Sequence, residues 1–204
     1  MNQILNTKLI KNSFKQNYFK VMFVSSIIAL CFFCLFYVFN KLQLKKEELI
    51  SKSINNKYHI YKLFSYNANN STEKDSDILG NISIPKINIT YTFFSGINEN
   101  LLKFSPCRFW GDFPNKKHNL CIAGHNYLNN QFFSQLNRLE LNDLILIKDN
   151  YDNCFNYYVF DKFEILEKDI SSILKYPLDY YELNLLTCTN YGNKRIVVKA
   201  KLKV

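Results

Sequence analysis

A cysteine and an arginine stand on either side of a turn near the C-terminal end of the sequence. The apolar run LLTC ends at Cys188, the residues TNYGNK follow, and Arg195 opens a second apolar run. If the turn is centred between Tyr191 and Gly192, the runs form a hairpin in which Cys188 and Arg195 are directly opposed, with Cβ atoms about 5 Å apart. A slip of one residue would place them on opposite faces of the sheet, so this prediction depends on the register.

Such a pair is suited to acyl transfer through a cysteine. Nearby positive charge favours the thiolate, which is the nucleophilic form of the side chain. A guanidinium can also stabilise the oxyanion that forms when a carbonyl carbon is attacked. The reaction further needs a proton donor for the leaving amine, and this donor is usually a histidine.

The sequence offers three histidines for that role, His59, His118 and His125. His59 lies in the segment after an apolar span, and His118 lies in the charged stretch KKHN. His125 ends an apolar strand and follows a small Ala-Gly pair, which lets the backbone and a ligand approach closely. His125 is therefore the best candidate.

Each of these residues also has an ordinary structural interpretation. A single cysteine at the end of a strand is more often a small buried apolar side chain. An arginine at a strand start is usually a solvated edge charge, and a histidine after glycine is commonly a turn residue. The residue types alone make the trio compatible with catalysis and do not establish it.

The motifs around these residues resemble those of the sortase family, the cysteine transpeptidases of Gram-positive cell surfaces. The resemblance rests on CIAGHNY (121–127), on LLTC followed by Arg195, on ISIPKINI (82–89) and on the segments 131–147 and 157–165. The family pattern TLxTC falls on residues 184–188, so that Asn184 stands in place of the first threonine. Segment 105–127 is similar to class D or class B members.

The resemblance implies a mechanism and a set of partners. Cys188 would attack the Thr–Gly bond of an LPxTG-like sorting signal on a surface protein and form a thioacyl enzyme. His125 would protonate the departing amine, and Arg195 would steady the substrate or the oxyanion. Asn126 and Thr187 would help to shape the substrate-binding site. The acceptor would be an amine of a peptidoglycan precursor or of a pilin.

The sequence also bears on cofactors and on alternative functions. No cofactor is implied, and no acidic cluster in the sequence calls for a metal such as calcium. Two alternatives remain open, a thiol hydrolase that releases surface proteins and a non-catalytic envelope protein that binds a partner on a degenerate sortase barrel. Asn184 is the only feature of the sequence that supports the second alternative.

An apolar segment near the N-terminus predicts a membrane anchor. Residues 21–39 are 19 residues with only Ser25 and Ser26 clearly polar, and as a helix they would span roughly 28 Å, close to the hydrocarbon thickness of a bilayer. A cleaved signal peptide has a shorter apolar core followed by small residues. We therefore expect an uncleaved anchor; the alternative is a soluble helix buried on all faces.

The distribution of charge predicts the orientation of this anchor and argues against nucleic-acid binding. Residues 1–46 contain seven lysines and no acidic residue, whereas the rest of the chain carries the other 19 basic groups and 17 acidic ones, a net charge of +2. The basic N-terminus should stay in the cytoplasm and place the domain outside the cell. The lysines would meet anionic headgroups of the bilayer.

The chain divides into a cytoplasmic tail (1–20), the transmembrane anchor (21–39), a membrane-proximal helix and linker (40–77) and a catalytic domain (78–204). The predicted strands are two within 79–94 separated at Pro85, and 119–124, 143–149, 155–166, 183–188 and 195–202; short helices are predicted at 97–104 and 131–139. The pattern is typical of an all-β barrel or sandwich with short helices, and the resemblance implies an eight-stranded sortase-type barrel. A disulfide such as Cys107–Cys121 remains open.

Overall fold

The computed structural model describes residues 2–67, 78–97, 99–114, 116–127, 130–174, 179–189 and 192–203. The chain divides into two compact units, residues 1–46 and residues 47–204. A long helix, α1 (Asn2–Asn67), begins in the first unit and ends in the second.

The first unit contains the apolar part of α1. Between Tyr18 and Asn56 this helix is long and apolar enough to cross a membrane, by length and composition. The large apolar side chains of the predicted anchor are exposed, as in Phe23, Phe32 and Phe36. A soluble helix buried on all faces would not expose them, so the described residues favour the membrane interpretation.

The second unit contains a closed barrel. Among the described residues, eight strands form it in the order β1-β2-β3-β4-β7-β8-β6-β5. The strands are β1 (Ile78–Ile84), β2 (Ile89–Phe94), β3 (Cys107–Gly111), β4 (Asn119–Ala123), β5 (Leu144–Asp149), β6 (Cys154–Leu166), β7 (Glu182–Cys188) and β8 (Lys194–Leu202), with one short helix, α2 (Glu99–Leu102), and 3-10 turns at Pro85–Ile87 and Leu136–Arg138.

The strand predictions are confirmed within one or two residues, with one omission. Strand β3 was not predicted because CRFWG does not alternate between polar and apolar residues, and β3 pairs with β2 only at Phe94 and Cys107. The predicted helix 131–139 is wrong, since it contains only the 3-10 turn Leu136–Arg138. Phe132 has a left-handed backbone there, and Phe132 and Phe133 are both buried. The predicted linker 65–77 begins within α1, and residues 68–77 lie outside the described part of the chain.

The barrel core follows the alternation of its strands. Leu120 and Ile122 of β4 pack in a large inner cluster with Leu183 and Leu185 of β7. The intervening β4 residues, such as Cys121, pack on the outer face. There the connection between β6 and β7 covers them, with Ile170, Ile173 and Leu174 contributing to the outer cluster. One face of β4 and β7 therefore builds the core, and the other builds a covered outer layer.

The cysteines of the barrel are all free thiols, so the disulfide left open by the sequence does not form. Cys107 and Cys121 are buried, Cys154 is exposed and Cys188 is half-buried. Burial raises the pKa of the Cys121 thiol to about 12, which leaves it protonated and unreactive near neutral pH.

Candidate active site

Two parallel strands bring the histidine and the cysteine to the same end of the barrel. Strand β4 pairs with β7 in parallel, and the last pair is Ala123 with Leu186. The backbone N–H of Gly124 then donates to the Leu186 carbonyl at 3.0 Å. His125 and Cys188 both follow two residues after that last pair, so both lie at the same end of these neighbouring strands, Cys188 as the last residue of β7 and His125 just beyond the end of β4.

Packing against a neighbouring phenylalanine, and not the approach of a ligand, explains why residue 124 is a glycine. A Cβ atom at this position would lie 2.8 Å from the ring of Phe133. Glycine therefore makes room for the buried ring of Phe133, whose backbone N–H donates to the His125 carbonyl at 3.0 Å. We expected the small Ala-Gly pair to serve the approach of a ligand; the contact with Phe133 accounts for the glycine.

The hairpin register predicted for the cysteine and the arginine is confirmed. Strands β7 and β8 are antiparallel, and Cys188 is paired with Arg195. The Arg195 guanidinium donates a hydrogen bond to the Cys188 sulfur. Gly192 lies in the intervening turn with φ +73°, a left-handed conformation that glycine adopts without steric cost. Residues 190–191 lie outside the described residues.

A glutamate that sequence reasoning missed holds the same arginine. The Glu167 carboxylate accepts a hydrogen bond from the second terminal nitrogen of Arg195 at 2.5 Å. Glu167 follows β6, which is antiparallel to β8 with Ile165 opposite Arg195. The contact depends on a strand pairing between residues 30 positions apart, which no local pattern in the sequence reveals.

The histidine lies in a partly buried aromatic environment. The His125 ring stacks on the Tyr127 ring, with centroids 5.0 Å apart and planes 19° apart. Burial lowers the pKa of His125, the positive charges of Lys103 and Arg195 lower it further, and the negative charge of Glu47 raises it. Arg195 therefore contacts the thiol through a hydrogen bond and acts electrostatically on the imidazole.

Two neighbouring polar side chains bond across the strands that carry the histidine and the cysteine. The Asn126 side-chain amide donates to the Cys188 carbonyl at 2.7 Å. The Thr187 hydroxyl donates to the Gly124 carbonyl at 2.8 Å, and Thr187 is only 2% exposed. Both bonds hold the two strand ends together. Their part in substrate binding stays a prediction.

The residue that departs from the family pattern belongs to a buried polar group. Asn184 is fully buried, and its side-chain amide donates to the Asn119 side-chain oxygen and to the Glu182 carboxylate. Lys199 donates to the same carboxylate at 3.2 Å. Four strand positions separate Asn184 from Cys188, roughly 13 Å along the strand, so the substitution lies away from the thiol.

No metal centre is evident in this part of the molecule. Among the residues that the structure describes, His, Cys, Asp and Glu side chains form no group of three or more that could hold an ion. The arrangement can instead support chemistry with a thiol, an imidazole and a guanidinium.

Comparison with known proteins places the barrel in one family. A family model described as the sortase domain matches residues 82–203. A solved sortase D5 transpeptidase from Clostridium perfringens is 26% identical with a TM-score of 0.60, over 76% of this chain and 96% of that one. No curated protein is a significant match.

More distant structures show the same fold. Sortase C1 from Streptococcus agalactiae is 24% identical with a TM-score of 0.59, over 65% of this chain and 71% of that one. Sortase A from Corynebacterium diphtheriae is 22% identical with a TM-score of 0.59, over 65% and 63%. These structures carry the names of different sortase classes, so the class D-like or class B-like assignment stays a prediction.

Proposed function

The chain belongs to the sortase family, and from this membership we propose that it is a membrane-anchored cysteine transpeptidase with Cys188, His125 and Arg195 as its catalytic residues. Its substrates would be surface proteins that carry an LPxTG-like sorting signal. Its acceptor would be an amine of a peptidoglycan precursor or of a pilin.

The contact between Arg195 and Cys188 is the observation that carries this proposal. The guanidinium donates to the sulfur at the strand end where His125 also emerges. A permanent cation beside a thiol supports a nucleophilic role for the thiol. Cys154, also free, is exposed and lies at the start of β6, where no histidine or arginine is paired with it in the sheet.

The proposed reaction has two steps, acylation of the enzyme and transfer of the acyl group to the acceptor amine. The Cys188 thiolate attacks the threonine carbonyl carbon of the Thr–Gly bond, and Arg195 stabilises the oxyanion that forms. The C–N bond breaks as the His125 imidazolium gives its proton to the leaving amine, which leaves a thioacyl enzyme. The acceptor amine then attacks the thioester and gives a proton to His125, and the C–S bond breaks to restore the thiolate.

The anchor supports the location that this reaction requires. The apolar helix within Tyr18–Asn56 is able to cross a membrane, and the lysines that precede it favour a cytoplasmic N-terminus. The barrel would then lie outside the cell, next to exported proteins and wall precursors.

A transfer assay with the full chain in detergent micelles tests the proposed function. Peptides with LPxTG-like motifs are incubated with triglycine as the amine, and the products are identified by mass spectrometry. We expect cleavage between Thr and Gly and transfer to triglycine, with loss of both in Cys188→Ala. Cys154→Ala, which removes an exposed thiol, should be as active as the wild type.

The same assay separates the alternatives. Turnover that persists in Cys188→Ala would contradict the proposal. A product that contains only water as the acceptor, even at high triglycine concentration, would indicate a thiol hydrolase. Absence of any reaction, together with failure of a thiol-directed sorting-signal analogue to label Cys188 in folded protein, would indicate a non-catalytic binding protein.

A further inference from the structure

The outer edge of strand β2 is bonded to the helix α1. Among the described residues, β2 pairs with β3 at a single position, and within the same unit an asparagine of α1 bonds the part of the edge that β3 leaves open. The Asn55 side-chain oxygen accepts hydrogen bonds from the Thr92 backbone N–H at 2.7 Å and from the Thr92 hydroxyl at 2.6 Å. The Asn55 amide donates to the Thr90 carbonyl at 3.0 Å. One side-chain amide thus takes the place of the peptide group of a neighbouring strand.

Tyr91, between these two threonines, holds a residue with an unfavourable backbone. Its hydroxyl accepts a hydrogen bond from the Phe132 backbone N–H at 3.1 Å, and the two ring centroids are 4.9 Å apart. Phe132 has φ +51°, a left-handed conformation that bulky residues rarely adopt, and it is 1% exposed. Such a conformation persists where the surrounding contacts hold it. The Tyr91 hydroxyl and ring are two of those contacts.

Phe132 in turn contacts the segment that carries the candidate proton donor. Its backbone forms an isolated antiparallel bridge with Asn126, and the next residue, Phe133, donates its N–H to the His125 carbonyl. The Phe132 ring lies 5.6 Å from the Tyr127 ring, measured between centroids, and Tyr127 stacks on the imidazole of His125. Strand β2 is therefore connected to the histidine by two routes, one through the main chain and one through aromatic rings.

We propose that Tyr91 is a positioning residue for His125: it fixes Phe132 through its hydroxyl and ring, and Phe132 fixes the Tyr127 ring against the imidazole. Tyr91 acts through these contacts and takes no part in the bond-making steps. Docking of α1 through Asn55 holds the part of β2 that carries Tyr91, so the membrane-proximal helix supports the active site. This inference deepens the proposed transpeptidase function and rests on it for the role of His125.

Two pairs of variants test the inference in the full chain in detergent micelles. Tyr91→Phe keeps the ring and removes only the hydroxyl, and its matched control is Tyr151→Phe, at a tyrosine that is 72% exposed. Asn55→Ala removes all three bonds to β2, and its matched control is Asn56→Ala, at the next residue, which is exposed. A fifth variant, Tyr127→Leu, removes the ring that stacks on the imidazole.

Two measurements are made on each protein. Histidine labelled with ¹³C gives the NMR signals of the imidazoles, and a stacked aromatic ring shifts the signals of the imidazole beside it. The sequence contains only three histidines, so single His59→Gln and His118→Gln substitutions assign the signal of His125. Transfer of an LPxTG-like peptide to triglycine gives kcat and KM.

We expect Tyr91→Phe to move the His125 signal away from its wild-type position and toward its position in Tyr127→Leu, because the stack is no longer fixed. The kcat should fall roughly 5-fold, the effect of one neutral hydrogen bond, whereas KM should stay within about 2-fold because Tyr91 acts on the histidine and not on the substrate. Asn55→Ala should move the signal and kcat in the same direction. Tyr151→Phe and Asn56→Ala should match the wild type.

The outcomes separate failure of this inference from failure of the proposed function. A His125 signal that is unchanged in Tyr91→Phe, or changed equally in Tyr151→Phe, would overturn the inference even if transfer occurs. A lower kcat without a change in that signal would also overturn it, since it would indicate a merely structural role. Absence of transfer in all proteins, the wild type included, would reject the proposed function, and the NMR signals would still test the contacts.

The variants of α1 keep the inference testable if Tyr91→Phe fails to fold. In that case an unchanged His125 signal in Asn55→Ala would overturn it, and a shifted signal with a lower kcat would support it. If both proteins fold, a shift in Tyr91→Phe without one in Asn55→Ala would overturn the part assigned to the helix.

Discussion

At the scale of single residues, Arg195 is shared between two partners. One terminal nitrogen of its guanidinium donates to the Cys188 sulfur, and the other donates to the Glu167 carboxylate. A guanidinium is planar and presents its donors in a fixed fork, so the two bonds orient each other. Glu167 thereby fixes the angle at which the cation meets the thiol, and an oxyanion formed at Cys188 would meet a donor that is already oriented.

Replacement of Arg195 by lysine should therefore impair catalysis although the charge is kept. A lysine ammonium lacks the fork and cannot hold Glu167 and point a second fixed donor at the sulfur. We expect kcat for peptide transfer to fall by roughly 10²-fold, the loss typical of one oxyanion donor. The neighbouring substitution Lys194→Arg, at an exposed ion pair with Glu164, should leave kcat unchanged. Equal activity in Arg195→Lys and wild type would show that a positive charge alone is sufficient.

At the scale of secondary-structure elements, a buried polar group fastens β7, β8 and the β6–β7 connection. Lys199 of β8 donates to the Glu182 carboxylate of β7 and to the Ser172 carbonyl of the connection. Asn119 of β4 donates to the next carbonyl, at Ile173. Glu182 is 2% exposed and Lys199 7%. Asn184 completes this group, which gives the departure from the family pattern a structural role.

The substitution Lys199→Met should destabilise the barrel strongly. It leaves the Glu182 carboxylate buried without its cation, a loss of about 3–5 kcal/mol in comparable ion pairs. Urea unfolding followed by fluorescence measures the change, because Trp110 in β3 is the only tryptophan of the sequence and reports on the barrel alone.

A second substitution identifies the cause of that loss. Glu182→Gln combined with Lys199→Met removes the uncompensated charge, and we expect it to recover much of the lost free energy of unfolding. A double variant that is no more stable than Lys199→Met would show that lost packing of the lysine chain, and not the isolated carboxylate, is responsible.

At the scale of the whole molecule, the chain combines an apolar helix with an enzymatic barrel. The two units have opposite surface chemistry: the first exposes large apolar side chains along α1, and the second buries its apolar residues in two clusters. An exposed apolar helix is stable in a bilayer, where lipid covers its side chains and its backbone groups are bonded within the helix.

The proposed orientation can be tested with a thiol reagent that does not cross membranes. In intact Gram-positive cells we expect such a maleimide to label the exposed Cys154, because the lysines before the span retain the N-terminus inside. Because the half-buried Cys188 is also a free thiol, all proteins in this test carry Cys188→Ala, and Cys154→Ser in that background should remove the labelling. A cysteine introduced at the N-terminus, Asn2→Cys in the background that lacks both Cys154 and Cys188, should react only after lysis. The reverse pattern would contradict an extracellular barrel.

The sequence by itself determined the local features of this protein. The apolar span, most of the strands and the Cys188–Arg195 register could be predicted, because each depends on residues near in sequence: a run of side chains, an alternation, or a short turn with Gly192. The motifs around His125 and Cys188 also predicted the family. Strand β3 could not be predicted because its sequence does not alternate and its ladder with β4 contains an irregularity between Arg108 and Trp110. The 131–139 segment could not be predicted because the burial of two adjacent phenylalanines, and not a helical periodicity, defines it.

Only the tertiary structure decided what surrounds these residues. Parallel pairing of β4 with β7 brings His125 to Cys188 across 63 residues, antiparallel pairing of β6 with β8 brings Glu167 to Arg195, and docking of α1 brings Asn55 to Thr92 of β2. The first of these could be expected only through the family resemblance, and the other two were not foreseen. Closure of the barrel fixes which distant strands become neighbours, and that choice depends on the packing of the entire core, which no local spacing encodes.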